Sequence, residues 1–519
     1  MIRDEMVRRL RERTKPWDML IIGGGATGVG VAVDAASRGY DVALVEQNDF
    51  GKGTSSRSTK LVHGGVRYLE QGDVALVMEA LEERGLMRQN APHLVHDLAF
   101  VVPNYEWWEA TFYGVGLKLY NLLAGKYGFG PSQVLNREET LERLPAIKTE
   151  GLRGGVVYYD GQFDDTRFLL HLAETATEQG ATLVNYMGAT ALNRGPDGFI
   201  DSVTAEDRET GEKFHLNAKV VVNATGVFTD TIRRMAEPEA AAMVSPSQGV
   251  HIVIDQSFLR SNSAILVPHT SDGRVMFALP WHGHTLVGTT DTPIPEASIE
   301  PKPLAEEIEF LLETSAQYLA RPPKREDVLS TWAGIRPLVK ATGAANTAAL
   351  SRSHAIHIDN SGLLTITGGK WTTYRHMAED CVNHAITLAK LEDRPCVTKR
   401  LNLHGFHQHA TKFGSLDFYG SDAPDVEAVC QESPEYGMLL HPALPYRAGQ
   451  VAWAARFEMA RTLEDVLSRR LRALTLNARA AIEMSPTAAA ILGKELGKSE
   501  AWAADQVKSF KDLAKSYLL

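Results

Sequence analysis

The feature that most constrains the fold of this chain is a glycine cluster near its N-terminus. An apolar run at residues 20–22 leads into Gly23, Gly25 and Gly28, and a stretch that suits a helix follows. In this G-x-G-x-x-G pattern the first glycine permits a tight turn, the second admits a pyrophosphate and the third lets helix and strand pack closely. The N-terminus of the helix then offers N–H groups to the phosphates. The pattern predicts a βαβ unit that binds a dinucleotide.

A carboxylate stands where such a unit places one. A second apolar run, residues 42–45, ends in Glu46, which lies 18 residues after Gly28. An acidic side chain at the end of the second strand accepts hydrogen bonds from ribose hydroxyls. The strand, the helix and the acid together favour dinucleotide binding over the alternative, a glycine-rich turn in an unrelated α/β domain.

Length and composition set outer limits. The 519 residues exceed what one hydrophobic core usually holds, so we expect two or three domains. A net charge of −10 argues against nucleic-acid binding. The three cysteines, Cys381, Cys396 and Cys430, have no metal-ligand or redox spacing. We therefore expect thiols in a reducing, cytoplasmic compartment and no bound metal.

Two segments are candidates for contact with a membrane from one side. Residues 1–16 carry six basic against three acidic side chains. A basic helix of this kind can lie on anionic lipid, but a solvated helix packed on its own domain explains the pattern equally well. Residues 107–122 are rich in aromatic side chains and predict a helix. Packing in the core is its favoured role, and an apolar surface for lipid or quinone is the alternative.

The segment after Glu46 is small, polar and rich in hydroxyl groups. Its Thr54, Ser55 and Ser56 could surround a pyrophosphate or a flavin ring with short donors, although a surface loop would look similar. The chain then turns apolar again over residues 61–69, which include His63, and the pair Gly64-Gly65 would let the backbone approach a flat ring.

Residues 54–69, TSSRSTKLVHGGVRYL, resemble the signature of FAD-dependent glycerol-3-phosphate dehydrogenases and of the closely related glycerol-3-phosphate oxidases. Four further blocks continue the resemblance in the expected order. They are Gly249-Val250-His251, Gly288-Thr289-Thr290-Asp291, Gly334-Ile335-Arg336-Pro337-Leu338 and Gly368-Gly369-Lys370-Trp371-Thr372-Thr373-Tyr374-Arg375. Five blocks in order are far more specific than any single one.

The resemblance implies an α/β fold in which a Rossmann-like FAD-binding domain carries a β-rich substrate-binding domain and a small C-terminal helical domain. The FAD-binding domain is expected at residues 17–95, 156–244 and 336–392. A substrate or cap segment is expected at 96–155, the substrate-binding domain at 245–335 and the C-terminal helical domain at 395–519.

The resemblance also implies where FAD binds. After the fingerprint, two strands return the chain to the cofactor, one ending at Ala224-Thr225-Gly226 and one at Gly368-Gly369. A helix opening near Thr372 would direct its positive end at the flavin and stabilise the anion of the reduced ring. The expected cofactor-binding residues are Gly23, Gly25, Gly28, Glu46, Thr54, Ser55, Ser56, His63, Gly64, Ala224, Gly226, Gly369, Lys370 and Thr372.

The implied reaction oxidises sn-glycerol 3-phosphate at C2 to dihydroxyacetone phosphate. Arg336 is the candidate phosphate clamp, because a guanidinium binds phosphate oxygens as a bidentate fork. Lys370 would add a second positive charge, and Arg67 and Tyr68 would complete the substrate pocket. His251 is the candidate base, since imidazole titrates near neutral pH; a structural histidine at the start of a strand is the alternative.

Several readings stay open. A nicotinamide dehydrogenase would share the fingerprint, an amine- or hydroxyacid-oxidising flavoenzyme would lack the basic cluster, and a non-catalytic flavoprotein would bind FAD without reacting. Within the resembling family, an oxidase would pass electrons to O2 and form H2O2. The favoured expectation is a dehydrogenase that passes electrons to a membrane quinone. We expect it to be peripheral on the cytoplasmic membrane. A homodimer is possible as well.

Overall fold

The computed structural model describes residues 1–65, 74–106, 109–268, 270, 275–340 and 353–519. Its strands are β1 (Met19–Ile22), β2 (Val42–Val45), β3 (Leu61–Val62), β4 (Val95–Asn104), β5 (Gln133–Asn136), β6 (Gly154–Phe163), β7 (Thr182–Val184), β8 (Met187–Arg194), β9 (Ile200–Asp207), β10 (Lys213–Asn217), β11 (Val221–Asn223), β12 (Val244–Asp255), β13 (Ala264–Val267), β14 (Met276–Trp281), β15 (His284–Gly288), β16 (Thr292–Pro293), β17 (Val328–Val339), β18 (His354–Ile358), β19 (Leu364–Gly368), β20 (Leu439–His441) and β21 (Leu444–Arg447).

The α-helices of the described residues are α1 (Arg3–Glu12), α2 (Ala26–Ser37), α3 (Val74–Asn90), α4 (Glu109–Ala124), α5 (Arg137–Arg143), α6 (Asp165–Glu178), α7 (Thr229–Ala236), α8 (Ala305–Tyr318), α9 (Tyr374–Leu388), α10 (Ala423–Gln431), α11 (Pro434–Gly437), α12 (Gly449–Phe457), α13 (Ala473–Leu476), α14 (Ala478–Glu495) and α15 (Glu500–Ala514). A 3₁₀ helix, Trp371–Thr373, leads into α9.

A six-stranded sheet forms the first layer. Its order is β18-β19-β11-β1-β2-β7, and every pair except β18–β19 is parallel. All residues of β1 and β2 are buried, as expected when helices cover both faces of a parallel sheet. Because β1, β2, β11 and β19 run in one direction, their carboxyl ends meet at one edge of the sheet.

A sheet with ten strands among the described residues forms the second layer. β12 and β17 pair antiparallel from Val244↔Val339 to Ile254↔Val328, and β15 lies on the other side of β12. β4 and β6 from the earlier part of the chain join the same sheet. The expected boundary between the cap segment and the second part of the FAD-binding domain, at residues 155/156, falls inside β6. Strands on both sides of this boundary belong to one sheet. The division into domains as a whole stays a prediction.

Buried ion pairs fasten the C-terminal helices to the first layer. Arg469 and Arg470 both contact Asp49, and Arg167 of α6 pairs with Glu458. Removing one partner of such a buried pair costs about 3–5 kcal/mol, because the other charge is left uncompensated.

The predicted fold class, a Rossmann-like domain with a β-rich domain and a helical C-terminal domain, is confirmed.

The basic N-terminal helix packs on its own protein. Met6, Val7 and Leu10 of α1 are buried. Arg3 pairs with Asp207 at 2.9 Å, and Arg11 and Arg13 bind acidic side chains of neighbouring strands and turns. The apolar face of α1 is thus used inside the fold, as in the second of the two explanations given for residues 1–16.

The aromatic segment is divided between core and surface. Leu117 and Tyr120 of α4 are buried, which agrees with the favoured role in packing. The opposite face exposes Phe112, Val115, Leu119 and Leu122, at 51%, 66%, 46% and 75%. Trp107 and Trp108 lie outside the described residues. Nowhere in the described ranges does a helix combine the length and the apolar character needed to cross a membrane.

Candidate active site

The edge of the first sheet forms a backbone cradle. Gly23 has φ +115°, and a Cβ there would lie 2.6 Å from the carbonyl oxygen of Ala224. A Cβ on Gly28 would lie 2.0 Å from the carbonyl oxygen of Gly23, so α2 can follow β1 this closely only with glycine. At Gly226, φ +57°, a Cβ would meet no atom of the described part of the chain within 4 Å. The cradle has open space at the return turn, and it fits a dinucleotide.

Two side chains already order the rim of this cradle. Glu46 accepts hydrogen bonds from the N–H of Gly24 at 2.6 Å and of Asn48 at 2.8 Å. Burial raises the pKa of the Glu46 carboxyl, and the two N–H donors act in the opposite direction. The hydroxyl of Ser55 accepts from the N–H of Ala26 at 2.9 Å, at the first turn of α2. The acid and the hydroxyl therefore stand beside the turn that the fingerprint predicts.

The second return brings another part of the chain to the same edge. Gly368 and Gly369 both have positive φ, and the N–H of His63 donates to the hydroxyl of Thr372 at 3.3 Å. The N–H of Gly64 donates to the hydroxyl of Tyr120 at 2.8 Å. Lys370 precedes the 3₁₀ helix Trp371–Thr373. The predicted flavin-side residues thus gather at one place in the fold.

Asp165, at the start of α6, fixes the segment 54–60. Its carboxylate accepts from the N–H and the hydroxyl of Ser58 and from Nζ of Lys60, the last two at 2.7 Å. Lys60 is 2% exposed, and its ammonium lies 4.9 Å from the ring centre of Trp332. The carboxylate of Asp165 compensates the charge of Lys60, and the ion pair holds the hydroxyl-rich segment 54–60 against the second sheet.

The candidate substrate side of the site is one face of β17, β12 and β15. The register pairs Ser247 with Arg336, Gly249 with Gly334, and His251 with both Trp332 and Gly288. Residues opposed in an antiparallel pair lie on the same face, so large side chains alternate here with glycines. A Cβ on Gly334 would lie 2.5 Å from the carbonyl oxygen of Arg57, so the segment 54–60 crosses the face at this glycine.

Arg336 is anchored but accessible. Its guanidinium bonds to Asp291 at 3.2 Å, to the carbonyl oxygen of Thr290 at 3.1 Å and to the hydroxyl of Thr289 at 3.3 Å. Its side chain stays 27% exposed. A Cβ on Gly249 would lie 2.5 Å from Nη2, so the missing side chain makes room for the guanidinium. The contacts orient the fork over the middle of the face.

His251 lies deep in the same face. It is 2% exposed, and its ring stacks on Trp332 with centroids 4.2 Å apart. Its Nε2 lies 2.9 Å from Oγ1 of Thr59. Burial, Lys60 and Arg336 hold the pKa of His251 well below its ordinary value, so the imidazole is neutral at neutral pH. A neutral imidazole can accept a proton.

The separation of the two groups suits a small phosphate ester. The guanidinium of Arg336 lies over Gly249, two residues from His251 along β12. Two residues of a strand span roughly 7 Å. A phosphate at Arg336 would thus place a three-carbon chain toward His251.

Sequence reasoning did not single out Thr59, Trp332, Asp165 or Asp291 for a role. Thr59 and Asp291 stand inside the family-like blocks, but their contacts depend on strand register and on the path of the segment 54–60. The predicted substrate residues Arg67 and Tyr68 lie outside the described residues, and their roles stay predictions.

Taken together, a Rossmann-type cradle with two chain returns and a mostly antiparallel second sheet form the arrangement expected of an FAD-dependent oxidoreductase. A family model described as FAD dependent oxidoreductase matches residues 18–375. A second model, described as the C-terminal domain of alpha-glycerophosphate oxidase, matches residues 364–503.

The relatives narrow this class. The chain is 42% identical over 516 residues to a probable mitochondrial glycerol-3-phosphate dehydrogenase of Caenorhabditis elegans, and 41% identical over 519 residues to the human mitochondrial glycerol-3-phosphate dehydrogenase. Each match covers 93% of this chain and 71% of the relative. The structure of the Bacillus halodurans glycerol-3-phosphate dehydrogenase complexed with FAD superposes with a TM-score of 0.81 at 30% identity, over 99% of this chain and 97% of that one. The chain belongs to the family of FAD-dependent glycerol-3-phosphate dehydrogenases; it is an enzyme, and FAD is its cofactor.

Proposed function

We propose that this enzyme oxidises sn-glycerol 3-phosphate to dihydroxyacetone phosphate. The observation that carries the proposal is that Arg336 and His251 share one face of the second sheet, where the guanidinium of Arg336 lies over Gly249, two residues or roughly 7 Å of strand from His251. When bound at the cradle, FAD supplies an acceptor for the hydride from C2. The residues of the second sheet bind the phosphate, orient the alcohol and take up its proton.

Arg336 acts as the phosphate clamp. Asp291 and the carbonyl oxygen of Thr290 fix the direction of the guanidinium, so little side-chain freedom is lost when a phosphate binds. A dianionic ester is a stronger partner for this fork than one carboxylate at 3.2 Å. Lys370, near the second return, is proposed to add positive charge.

Phosphate binding and base strength are coupled in this arrangement. The charge of Arg336 is one cause of the depressed pKa of His251. A bound phosphate dianion offsets that charge, which favours the protonated imidazole that forms during oxidation. Glycerol lacks the phosphate and gains neither the clamp nor this help to the base.

We propose a membrane quinone as the electron acceptor. The four exposed apolar side chains of α4 recur at positions that share one helix face, and the exposed Lys118 and Lys126 lie beside them. On the inner face of α4, Tyr120 bonds the N–H of Gly64 in the flavin-side segment. A single side chain, Tyr120, therefore connects α4, whose outer face would contact lipid, with the turn at Gly64 on the flavin side.

An oxidase that reduces O2 to H2O2 is the second candidate, because the substrate half-reaction is shared. The exposed apolar face of α4 favours the quinone. Peripheral attachment to the cytoplasmic face of the membrane is part of the same proposal, and a homodimer stays an expectation.

Oxygen consumption distinguishes the acceptors. The FAD-loaded enzyme is supplied with glycerol 3-phosphate in air, with and without a soluble quinone analogue. We expect slow oxygen uptake and fast quinone reduction. Stoichiometric H2O2 at an undiminished rate without quinone would instead establish the oxidase.

Vesicle flotation tests the membrane surface. We expect Leu122→Glu to lower binding to anionic vesicles about tenfold or more, because burying one leucine contributes about 1.5–3 kcal/mol. Leu439→Glu is the matched control, since Leu439 is 54% exposed in the C-terminal part. Both variants should keep dye-linked activity. Equal flotation of both variants and the wild type would remove α4 as the attachment surface.

A further inference from the structure

His251 is enclosed, and a hydroxyl group stands at its Nε2. Trp332 covers one side of the ring, and a Cβ on Gly288 would lie 2.2 Å from its Cδ2. The Nδ1 atom is buried and has no hydrogen-bond partner among the described residues. The remaining nitrogen, Nε2, is 2.9 Å from Oγ1 of Thr59, a residue that is partly exposed. Thr59 therefore stands between His251 and the accessible part of the site.

We propose that Thr59 is a catalytic residue that relays the proton of the substrate alcohol to His251. The inference rests on the proposed function and deepens it. As the C2–O–H bond breaks, its proton passes to Oγ1 of Thr59, and the hydroxyl proton of Thr59 passes to Nε2 of His251. The electron pair of the C2–H bond would leave with the hydrogen as a hydride, for which FAD bound at the cradle would be the acceptor. The alcohol becomes a ketone, Thr59 is unchanged in composition, and His251 ends as imidazolium.

The surroundings of Thr59 support this role. Its two neighbours, Ser58 and Lys60, are both held by Asp165, so the backbone that carries the hydroxyl is fixed at each side. The ammonium of Lys60 is engaged in a buried ion pair with Asp165. A relay requires the Nδ1-protonated tautomer, in which the lone pair of Nε2 receives the Thr59 hydroxyl.

The kinetic test compares Thr59→Val with Thr59→Ser. Valine keeps the shape of threonine and removes the hydroxyl, so anaerobic flavin reduction by glycerol 3-phosphate should slow about a hundredfold. The KM should change less than threefold, and Thr59→Ser should stay near wild type. The double variant Thr59→Val/His251→Ala should be no slower than His251→Ala, because both groups act on one proton.

Thr331→Val is the matched control. Thr331 donates from Oγ1 to the backbone carbonyl oxygen of His251 at 3.1 Å, so this variant removes a hydroxyl next to His251 but not from its ring. We expect it to retain the wild-type rate of flavin reduction. The FAD content and melting temperature of each variant show whether a slow rate reflects folding instead.

A second readout does not use the reaction. ¹⁵N spectra of the apoprotein, with the His251 signals identified by their loss in His251→Ala, should show protonated Nδ1, and Thr59→Val should shift the Nε2 resonance. An Nε2-protonated ring would overturn the relay.

The kinetic outcomes separate the relay from the function. A fast Thr59→Val variant beside a slow His251→Ala variant overturns the relay and leaves the proposed function intact. A wild-type rate in His251→Ala would show that His251 is not the proton acceptor, which overturns both the relay and the assignment of His251 as the base. Failure of glycerol 3-phosphate to reduce the wild-type flavin overturns the proposed function itself.

Discussion

The two walls of the active site are built in different ways. The cofactor wall, at the edge of the parallel sheet, consists mostly of turns whose glycines bring backbone groups close together, as at Gly23 and Gly28. The proposed substrate wall, on β12, β15 and β17, consists of side chains such as Arg336 and His251 placed among glycines. A backbone wall is damaged by added atoms, whereas a side-chain wall is damaged by lost ones.

This contrast predicts separable defects. Substitutions on the substrate wall should change substrate kinetics and leave FAD in place. Substitutions on the cofactor wall should release FAD and leave the second sheet folded. The following variants test that separation, beginning with the largest expected effect.

Loss of the base should give the largest effect. His251→Ala removes the proposed proton acceptor, so flavin reduction by glycerol 3-phosphate should slow on the order of 10²–10⁴-fold while substrate binding is largely kept. Anaerobic stopped-flow absorbance measures both quantities. A wild-type rate across the pH range would place the base elsewhere, with Lys370 the next candidate.

Loss of the clamp should affect binding more than chemistry. A charged hydrogen bond contributes about 1.5–3 kcal/mol, so Arg336→Ala should raise the KM for glycerol 3-phosphate roughly a hundredfold or more. Glycerol, a poor substrate for both forms, should be affected far less. Unchanged affinity for the phosphate ester would make the contact with Asp291 a structural ion pair only.

An added methyl group should damage the cofactor wall. A Cβ on Gly28 would lie 2.0 Å from the carbonyl oxygen of Gly23, and overpacking of this kind costs about 1–3 kcal/mol. Gly28→Ala should therefore weaken FAD binding about 10–100-fold, as measured by flavin fluorescence during dilution.

Gly116→Ala is the control for this variant. It also adds a methyl group to a helical glycine, but no atom of the described residues lies within 4 Å of the new Cβ. Equal FAD affinity in the two variants would show that the close approach at Gly28 is not needed.

The pH dependence should be the smallest effect. Burial and the charges of Lys60 and Arg336 depress the pKa of His251 in the folded protein, so the neutral base persists as the pH falls through 6.5. Glycerol carries no phosphate to offset the charge of Arg336. With glycerol as substrate, the rate of flavin reduction should therefore change less than twofold between pH 7.5 and about 6. A tenfold fall per pH unit below 6.5 would show an unperturbed histidine.

The cofactor wall could be predicted from the sequence because its elements are local. Strand, turn and helix are contiguous around Gly23, and Glu46 follows at the end of the next strand. The two returns at Ala224 and Gly369 follow apolar runs that also read as strands. Their parallel alignment, with all ends at one edge, follows from the fold class.

The substrate wall could be predicted only in part. The blocks that contain His251 and Arg336 are visible in the sequence, but the register that opposes Gly249 to Gly334 is not. A shift of one residue would turn each side chain to the other face. The bond between Thr59 and His251 joins residues 192 positions apart, and no local pattern predicts it.

Helix α4 shows a second limit. Its aromatic residues predict a helix, and Tyr120 packs inward as the favoured role requires, while Leu122 is exposed on the other face. The use of that exposed face for lipid or quinone stays a proposal. The basic residues of α1 predict a surface helix, but their acidic partners, such as Asp207 and Glu212, come from strands and turns distant in sequence.

One measurement tests the central claim most directly. The FAD-loaded wild-type enzyme is mixed without oxygen with glycerol 3-phosphate and, separately, with glycerol plus inorganic phosphate, an amino acid and a hydroxyacid, while flavin absorbance is recorded. The account predicts rapid and complete bleaching by glycerol 3-phosphate and reduction slower by about a hundredfold or more with each of the others. Bleaching by the amino acid or hydroxyacid at a comparable rate, or none by glycerol 3-phosphate, would contradict it.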